Sequence, residues 1–253
     1  MMVVSSVFTR RDQTCSVAFT SLNDRSVIGL CGDQLVTLPV ETGRSHLCST
    51  IGPETAGWYR KPIKSLDDLK GLKIRFSGLG GMVLNKIGAS ATLMAGGEIF
   101  AALEKGTLDA TEYSMPAIDE VLGFYKIAKY NLFPGWHQPS TSTHLLINLD
   151  LWNQLSSSDR ALFEMGCTAA TMRAITRGEA LQGAQIKSFP EKGVTAAKLP
   201  DDVLQELKRV AAEVMAEESA KDADFKRVWE SQQAFHAEYQ IWKEWGYFPR
   251  DFK

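Results

Sequence analysis

Between Ser65 and Gly88 the chain reads SLDDLKGLKIRFSGLGGMVLNKIG: a capped helical start, an apolar strand over residues 72–76, a glycine turn and a second helix. No other stretch constrains the fold as strongly. A period that switches from helical to extended and back within so few residues calls for helices layered on a sheet, which buries both kinds of element. The rhythm continues with a strand at ATLM, a helix at GEIFAALEKG closed by Gly106, a strand at DATEY and a helix opening near Pro116. THLLINL then predicts a buried strand, and DLWNQLSSSDRALFEMGCTAATMRAI a helix. The last third predicts long helices. Val203, Leu204, Leu207, Val210, Val214 and Met215 mark one apolar face after Pro200 and Asp201, and Phe225, Val228, Trp229, Phe235, Tyr239, Trp242 and Trp245 a second stripe that reads as core.

The first fifty residues have a different texture. They hold three of the four cysteines, Cys15, Cys31 and Cys48, together with many Ser, Thr and Arg, and only SVIGL and QLVTLPV resemble strands. No C-x-x-C spacing exists, so a structural zinc or redox motif is disfavoured, and one disulfide among those three is allowed but nothing in the sequence supports it. The opening MMVVSSVFTRRDQTCSV lacks a sustained apolar run, so no export signal is expected in it. No stretch approaches the roughly 18 to 20 apolar residues of a membrane-spanning helix, and a soluble chain is expected. With 44% hydrophobic residues among 253 there is ample material for a core. A net charge of -2 gives no bulk attraction to nucleic acid or an anionic membrane.

Several side chains invite chemistry. Arg75 stands near the carboxyl end of a predicted interior strand, where open α/β sheets place ligands, and its guanidinium suits a carboxylate; from position alone a surface salt bridge is the more ordinary reading. Glu112, at the end of DATEY, has three readings: a general base, a ligand to a hard cation, or the default, an acceptor for N–H groups at the next helix start. Tyr113 and Trp136 offer flat apolar walls and Gln138 an amide, though singly such residues are more often turn and core. The FSGLGG turn reads as a tight strand-to-helix connection rather than a phosphate loop, since Val83 stands where G-x-G-x-x-G needs glycine. His137 and His144 show no metal-ligand spacing and read as structural. No catalytic motif argues for an enzyme.

At GWYRKPIKSLDDLKGLKIRF, MAGGEIFAALEKGTLDATEY and LGFYKIAKYNLFPGW the chain resembles the substrate-binding proteins of tripartite ATP-independent periplasmic (TRAP) transporters, the DctP family, over roughly residues 57–247. It is most similar to the branch that binds 2-oxo acids such as pyruvate. The resemblance implies an extracytoplasmic, periplasmic receptor of two α/β lobes with long C-terminal helices, working with membrane permease subunits and not with nucleic acid. Residues 1–50 do not fit this pattern, so the resemblance implies an incomplete first lobe, with a truncated or wrongly framed start, and a partial binding domain over residues 51–253. It assigns Arg75 to the substrate carboxylate, Tyr113, Trp136 and Gln138 to the pocket, and Glu112, with Gln138, to a bound Na+ or Ca2+ bridging to the substrate. Gln138 stands where the branch commonly has Glu, which removes a charge from that cation site, and Glu54 falls near the place of another cation-binding residue without being assigned. Homodimerisation through the C-terminal helix is a further implication. Two alternatives stay open: an α/β enzyme with Glu112 as base and Arg75 orienting a carboxylate, and a fragment that binds nothing.

Overall fold

The computed structural model describes residues 45–248 in full and, ahead of them, the backbone of residues 7–10, 13–20, 27–31, 34–38 and 43–44 alone. That backbone comprises β1 (Val7–Arg10), β2 (Gln13–Thr20), β3 (Val27–Cys31) and β4 (Gln34–Leu38), paired antiparallel in sequence order, and the start of β5 (Gly43–Ile51). The strands expected at SVIGL and QLVTLPV correspond to β3 and β4. The remaining expectations for this opening segment lie mostly outside the described residues.

The main sheet has six strands in the order β12, β10, β6, β9, β7, β8: β6 (Gly57–Tyr59), β7 (Lys73–Arg75), β8 (Ser90–Thr92), β9 (Ala110–Thr111), β10 (Tyr130–Phe133) and β12 (Thr195–Lys198). All run parallel to their neighbours except β6, which is antiparallel to both β9 and β10. Alternation along β6 shows how the two faces are built. Tyr59, Ala110 and Ile74 form a cross-strand row facing α1 (Gly78–Ile87) and α6 (Asp201–Lys221). The adjacent row, led by Trp58, faces Ile99 and Leu103 of α2 (Gly96–Glu104), Phe124 and Phe189. The result is a three-layer α/β sandwich, as the sequence rhythm predicts.

Local signals account for most boundaries. Asp68 Oδ2 accepts the Ser65 N–H at 3.0 Å, capping a single helical turn at Leu66–Leu69. Pro116 opens α3 (Pro116–Leu122), and Gly123 closes it in the left-handed region at φ 75°. The helix expected after Asp150 divides at Ser156, whose hydroxyl caps α5 (Ser157–Lys187) and separates it from α4 (Leu149–Gln154).

Two expectations are corrected here. β11 (Thr141–Asn148) pairs only with β5 in a two-stranded ribbon and buries only Ile147, so THLLINL is not an interior strand. α7 (Ala223–Gly246) buries Phe225 and Val228 alone, leaving Phe235, Trp242 and Trp245 exposed, because only its first two turns meet the core cluster that α6 helps to form. The disulfide also differs from expectation: Cys48 pairs with Cys167, since β5 lies along α5. Among the described residues no helix is long and apolar enough to cross a membrane.

Candidate functional site

The strand directions bring distant residues to one end of the main sheet. Because β7, β9 and β10 all run opposite to β6, their carboxyl ends meet its amino end. Arg75 closes β7, Glu112 follows β9, Glu54 precedes β6, and Trp136, His137 and Gln138 follow β10. Backbone bonds lock this corner: Glu112 N–H donates to Arg75 O at 3.0 Å, Thr55 N–H to Ser114 O at 3.1 Å, and Glu54 N–H to Gln138 O at 3.2 Å. Two glycines make the approach feasible. A Cβ on Gly57, which sits at φ 121°, would lie 2.6 Å from Thr111 O, and one on Gly135 would lie 2.2 Å from Glu54 O.

Arg75 is 4% exposed, and its Nη1 lies 3.1 Å from Glu112 Oε2 while also donating to Glu112 O. Its Nε donates to Met94 O at 3.2 Å, which leaves Nη2 outside these bonds. The guanidinium lies over the Tyr113 ring, 5.3 Å from its centroid. Glu112, 1% exposed, turns its other oxygen toward His137 Nε2 at 3.5 Å, and the same nitrogen is 3.8 Å from Glu54 Oε2. Both separations exceed a well-formed hydrogen bond. Glu54 Oε2 and both His137 ring nitrogens therefore have no hydrogen-bond partner although they are buried. One ligand atom from each of Glu54, Glu112 and His137 falls within 4.8 Å of the others; the two carboxylate oxygens suit a hard cation, whereas the imidazole could ligate only when deprotonated. Gln138 Nε2 donates to Glu54 Oε1 at 2.9 Å and to the Thr141 hydroxyl, which in turn donates to Glu54. Trp136, half-buried, stacks on Phe76 at 5.6 Å and meets the His137 ring edge-on at 5.3 Å.

Burial raises the Glu54 carboxyl to about 7, with Glu112 adding to the rise and His137 partly offsetting it. Burial acts the same way on Glu112, but His137 and Arg75 outweigh it and bring that group to about 2. Burial would deprotonate His137; the two carboxylates overcome it and raise the imidazole to about 9. At neutral pH the corner thus holds ionised Glu112 between two cations, Arg75 and His137, with Glu54 at the edge of ionisation.

Several of the ordinary readings give way. Arg75 is not a surface arginine but a buried one. Glu112 does not cap the following helix, since the N-cap of α3 is Met115 and receives no side-chain bond. His137 is not a satisfied structural histidine. The FSGLGG turn packs rather than binds: a Cβ on Gly80 would collide with the Phe76 ring at 2.4 Å. Of the residues singled out in the sequence, Arg75, Glu112 and Tyr113 come together, and Trp136 and Gln138 join them through His137 and Glu54. Sequence reasoning left Glu54 unassigned and dismissed His137. The available signals were the position of Glu54 just ahead of Gly-Trp-Tyr and of His137 between Trp136 and Gln138.

The family model of bacterial extracellular solute-binding proteins, family 7 (DctP), matches residues 54–222. A monocarboxylate 2-oxoacid-binding periplasmic protein of Nostoc sp. is 34% identical over 193 residues, covering 76% of this chain and 53% of its own length. The chain spans about half the length of the curated relatives it matches. Among solved structures, a TRAP transporter solute-binding protein from Bordetella bronchiseptica superposes with a TM-score of 0.77 at 35% identity, covering 79% of this chain and 60% of that one. It was crystallised as a mixed-occupancy dimer with copurified calcium and picolinate in one active site. A TRAP periplasmic solute-binding protein from Pseudoalteromonas atlantica, with bound sodium and pyruvate, gives a TM-score of 0.76 at 29% identity over 81% of this chain and 62% of that one. The family is one of solute-binding proteins rather than of enzymes. The α/β architecture and the extent of the match agree, and the chain belongs to the DctP family of bacterial extracellular solute-binding proteins.

Proposed function

We propose that this chain carries the ligand-contacting part, within residues 51–253, of a periplasmic TRAP receptor for a small carboxylate, a 2-oxo acid such as pyruvate, which it delivers to membrane permease subunits. The observation that carries the reading is Arg75: buried at the carboxyl end of β7, held by Glu112 and Met94, with Nη2 outside those bonds. In this reading Nη2 meets the substrate carboxylate through a charge-assisted hydrogen bond. Tyr113 and Trp136 wall the ligand, and Gln138 holds Glu54 in place from beside the pocket. A cation of the Na+ or Ca2+ kind, when bound, would be held by Glu112 and Glu54 and would neutralise their charge beside the ligand. The unpartnered Glu54 Oε2 supports that assignment, and the amide nitrogen that Gln138 turns to Glu54 makes Gln138 the weaker ligand. No step of chemistry is needed: the chain is a receptor, and a mixture of 2-oxo acids incubated with it stays unchanged by NMR.

Arg75→Lys tests the reading, because it keeps a cation against Glu112 while removing the planar fork. Calorimetry with pyruvate in sodium-containing buffer should show at least a tenfold loss of affinity, the equivalent of about 1.4 kcal/mol. Unchanged affinity in that variant sinks the assignment of Arg75. The exposed aromatic residues of α7, Phe235, Trp242 and Trp245, support a homodimer through this helix. A solely monomeric species in sedimentation at micromolar concentration counts against it.

A further inference from the structure

One buried carboxyl at this corner has no part in the site as described. Asp119, in the first half of α3, is wholly buried, accepts the Trp58 indole N–H on Oδ2 at 2.8 Å, and has no partner on Oδ1. Among the described residues this is the only side-chain hydrogen bond between α3 and β6. Its place in the covalent path matters. Four residues before Trp58 the chain carries Glu54, and seven residues before Asp119 it carries Glu112.

Together with the Thr55 N–H to Ser114 O bond, the indole bond closes a ring, from Thr55 through β6 to Trp58, across to Asp119, and back along the first turn of α3 to Ser114, with Glu54 and Glu112 just outside its two ends. Other contacts stiffen the ring. Trp58 pairs in register with Thr111, the residue before Glu112, and Thr111 with Arg75, so Trp58, Thr111 and Arg75 lie in one cross-strand row on one face. Asp119 N–H donates to Met115 O at 3.0 Å, and Gln182 Oε1 accepts the Ala117 N–H at 3.0 Å, holding α3 against α5. The Trp58 ring rests edge-on against Phe189 at 5.4 Å, so the indole cannot swing without disturbing that core. What α3 has to grip on β6 is this one polar contact.

We propose that Asp119 is a positioning residue for the ligand site: through the Trp58 indole it fixes the spacing of Glu54 and Glu112, and with it the affinity for the carboxylate ligand and its cation. This rests on the receptor reading given above. Burial pushes the Asp119 carboxyl well above the usual range, the Trp58 bond only partly offsetting it, so an amide is a close substitute there. Asp119→Asn keeps an acceptor for the indole, Asp119→Ala removes it, and Trp58→Phe removes the donor.

The test is calorimetric titration of the full chain with pyruvate in sodium-containing buffer. Trp58→Phe and Asp119→Ala are expected to weaken binding about tenfold, while Asp119→Asn stays within about twofold. In a Glu112→Gln background Asp119→Ala should add no further loss, because the group it positions has gone; a merely structural role would subtract the same amount again. Wild-type affinity in Trp58→Phe, an equal loss in Asp119→Asn and Asp119→Ala, or full additivity with Glu112→Gln each overturns the proposal. Should Asp119→Ala fail to fold, Trp58→Phe and Asp119→Asn decide the matter. A wild-type chain that does not bind pyruvate rejects the receptor reading itself and this proposal with it, whereas a binding wild type with indifferent variants rejects the proposal alone.

Discussion

Two arginine–glutamate groupings lie at opposite extremes of this molecule. On the outer face of α6, Arg209 makes a fork to Glu206, at 2.8 and 2.6 Å, and also reaches Glu213. At the sheet corner, Arg75 reaches Glu112 Oε2 by one contact at 3.1 Å. By geometry the surface grouping is superior. Yet Arg209 is more than half exposed, where water and salt screen the pair, while both members of the Arg75–Glu112 pair are buried. Good geometry at a surface contributes little, and a buried pair matters because neither partner can be left alone. The corner also keeps unpartnered atoms on Glu54 and His137 and the surface grouping is saturated, which is the difference between a site and a salt bridge.

The largest expected effect tests that contrast directly. Arg75→Met strands Glu112 in the interior and should remove about 3 to 5 kcal/mol of stability in chemical denaturation. Arg209→Met should leave the denaturation midpoint where it is, and equal losses in the two variants would break the comparison. Next in size is the same contrast for apolar groups. Leu207→Ala in α6 should remove about 2 to 5 kcal/mol, because the side chain is 1% exposed in the core, whereas Trp245→Ala in α7, 83% exposed, should leave the monomer's melting temperature unchanged. Gly135→Ala pushes a methyl against Glu54 O and is expected to lower both melting temperature and ligand affinity, separating it from Arg209→Met, which should lower neither.

The last contrast is the dependence on pH. His137 holds its proton more tightly folded than unfolded, with a value of about 9 against 6.5, so its contribution is complete below about 6.5 and lost as pH rises through 9. Glu54, raised from 4.5 to about 7, has the same sign: its contribution is present below about 4.5 and lost as pH rises through 7. Melting temperature should therefore fall between pH 5 and 9, and His137→Gln should flatten the upper part of that decline. A profile with the same slope in His137→Gln would detach the imidazole from the two carboxylates. Glu112 has the opposite sign and moves stability only on acidification toward 2.

Much of the scaffold is legible in the amino-acid sequence. The alternating periods gave β7, α1, α2 and α3 nearly where they stand, and the α6 stripe buries Val203, Leu207, Val210, Val214 and Met215 as written. The short strands β6, β10 and β12 went unread, because three or four residues carry no period of their own and exist only by pairing with neighbours. Of the site, the resemblance to the family pointed to Arg75, Glu112, Tyr113, Trp136 and Gln138 and placed Glu54 near a cation-binding position without assigning it, while Asp119 had no local signature to mark it.

The amino-acid sequence by itself determined the α/β alternation, the helix caps and the apolar faces, since these follow from interactions among residues a few positions apart. Only the tertiary structure decided that β6 runs against its neighbours, which carries Glu54 to Glu112 and His137 across more than fifty intervening residues. It alone also decided that the α6 stripe is covered and most of the α7 stripe is not. Periodicity tells which residues share a face, but what meets that face depends on strand order and helix packing, and those are settled by the whole chain folding at once.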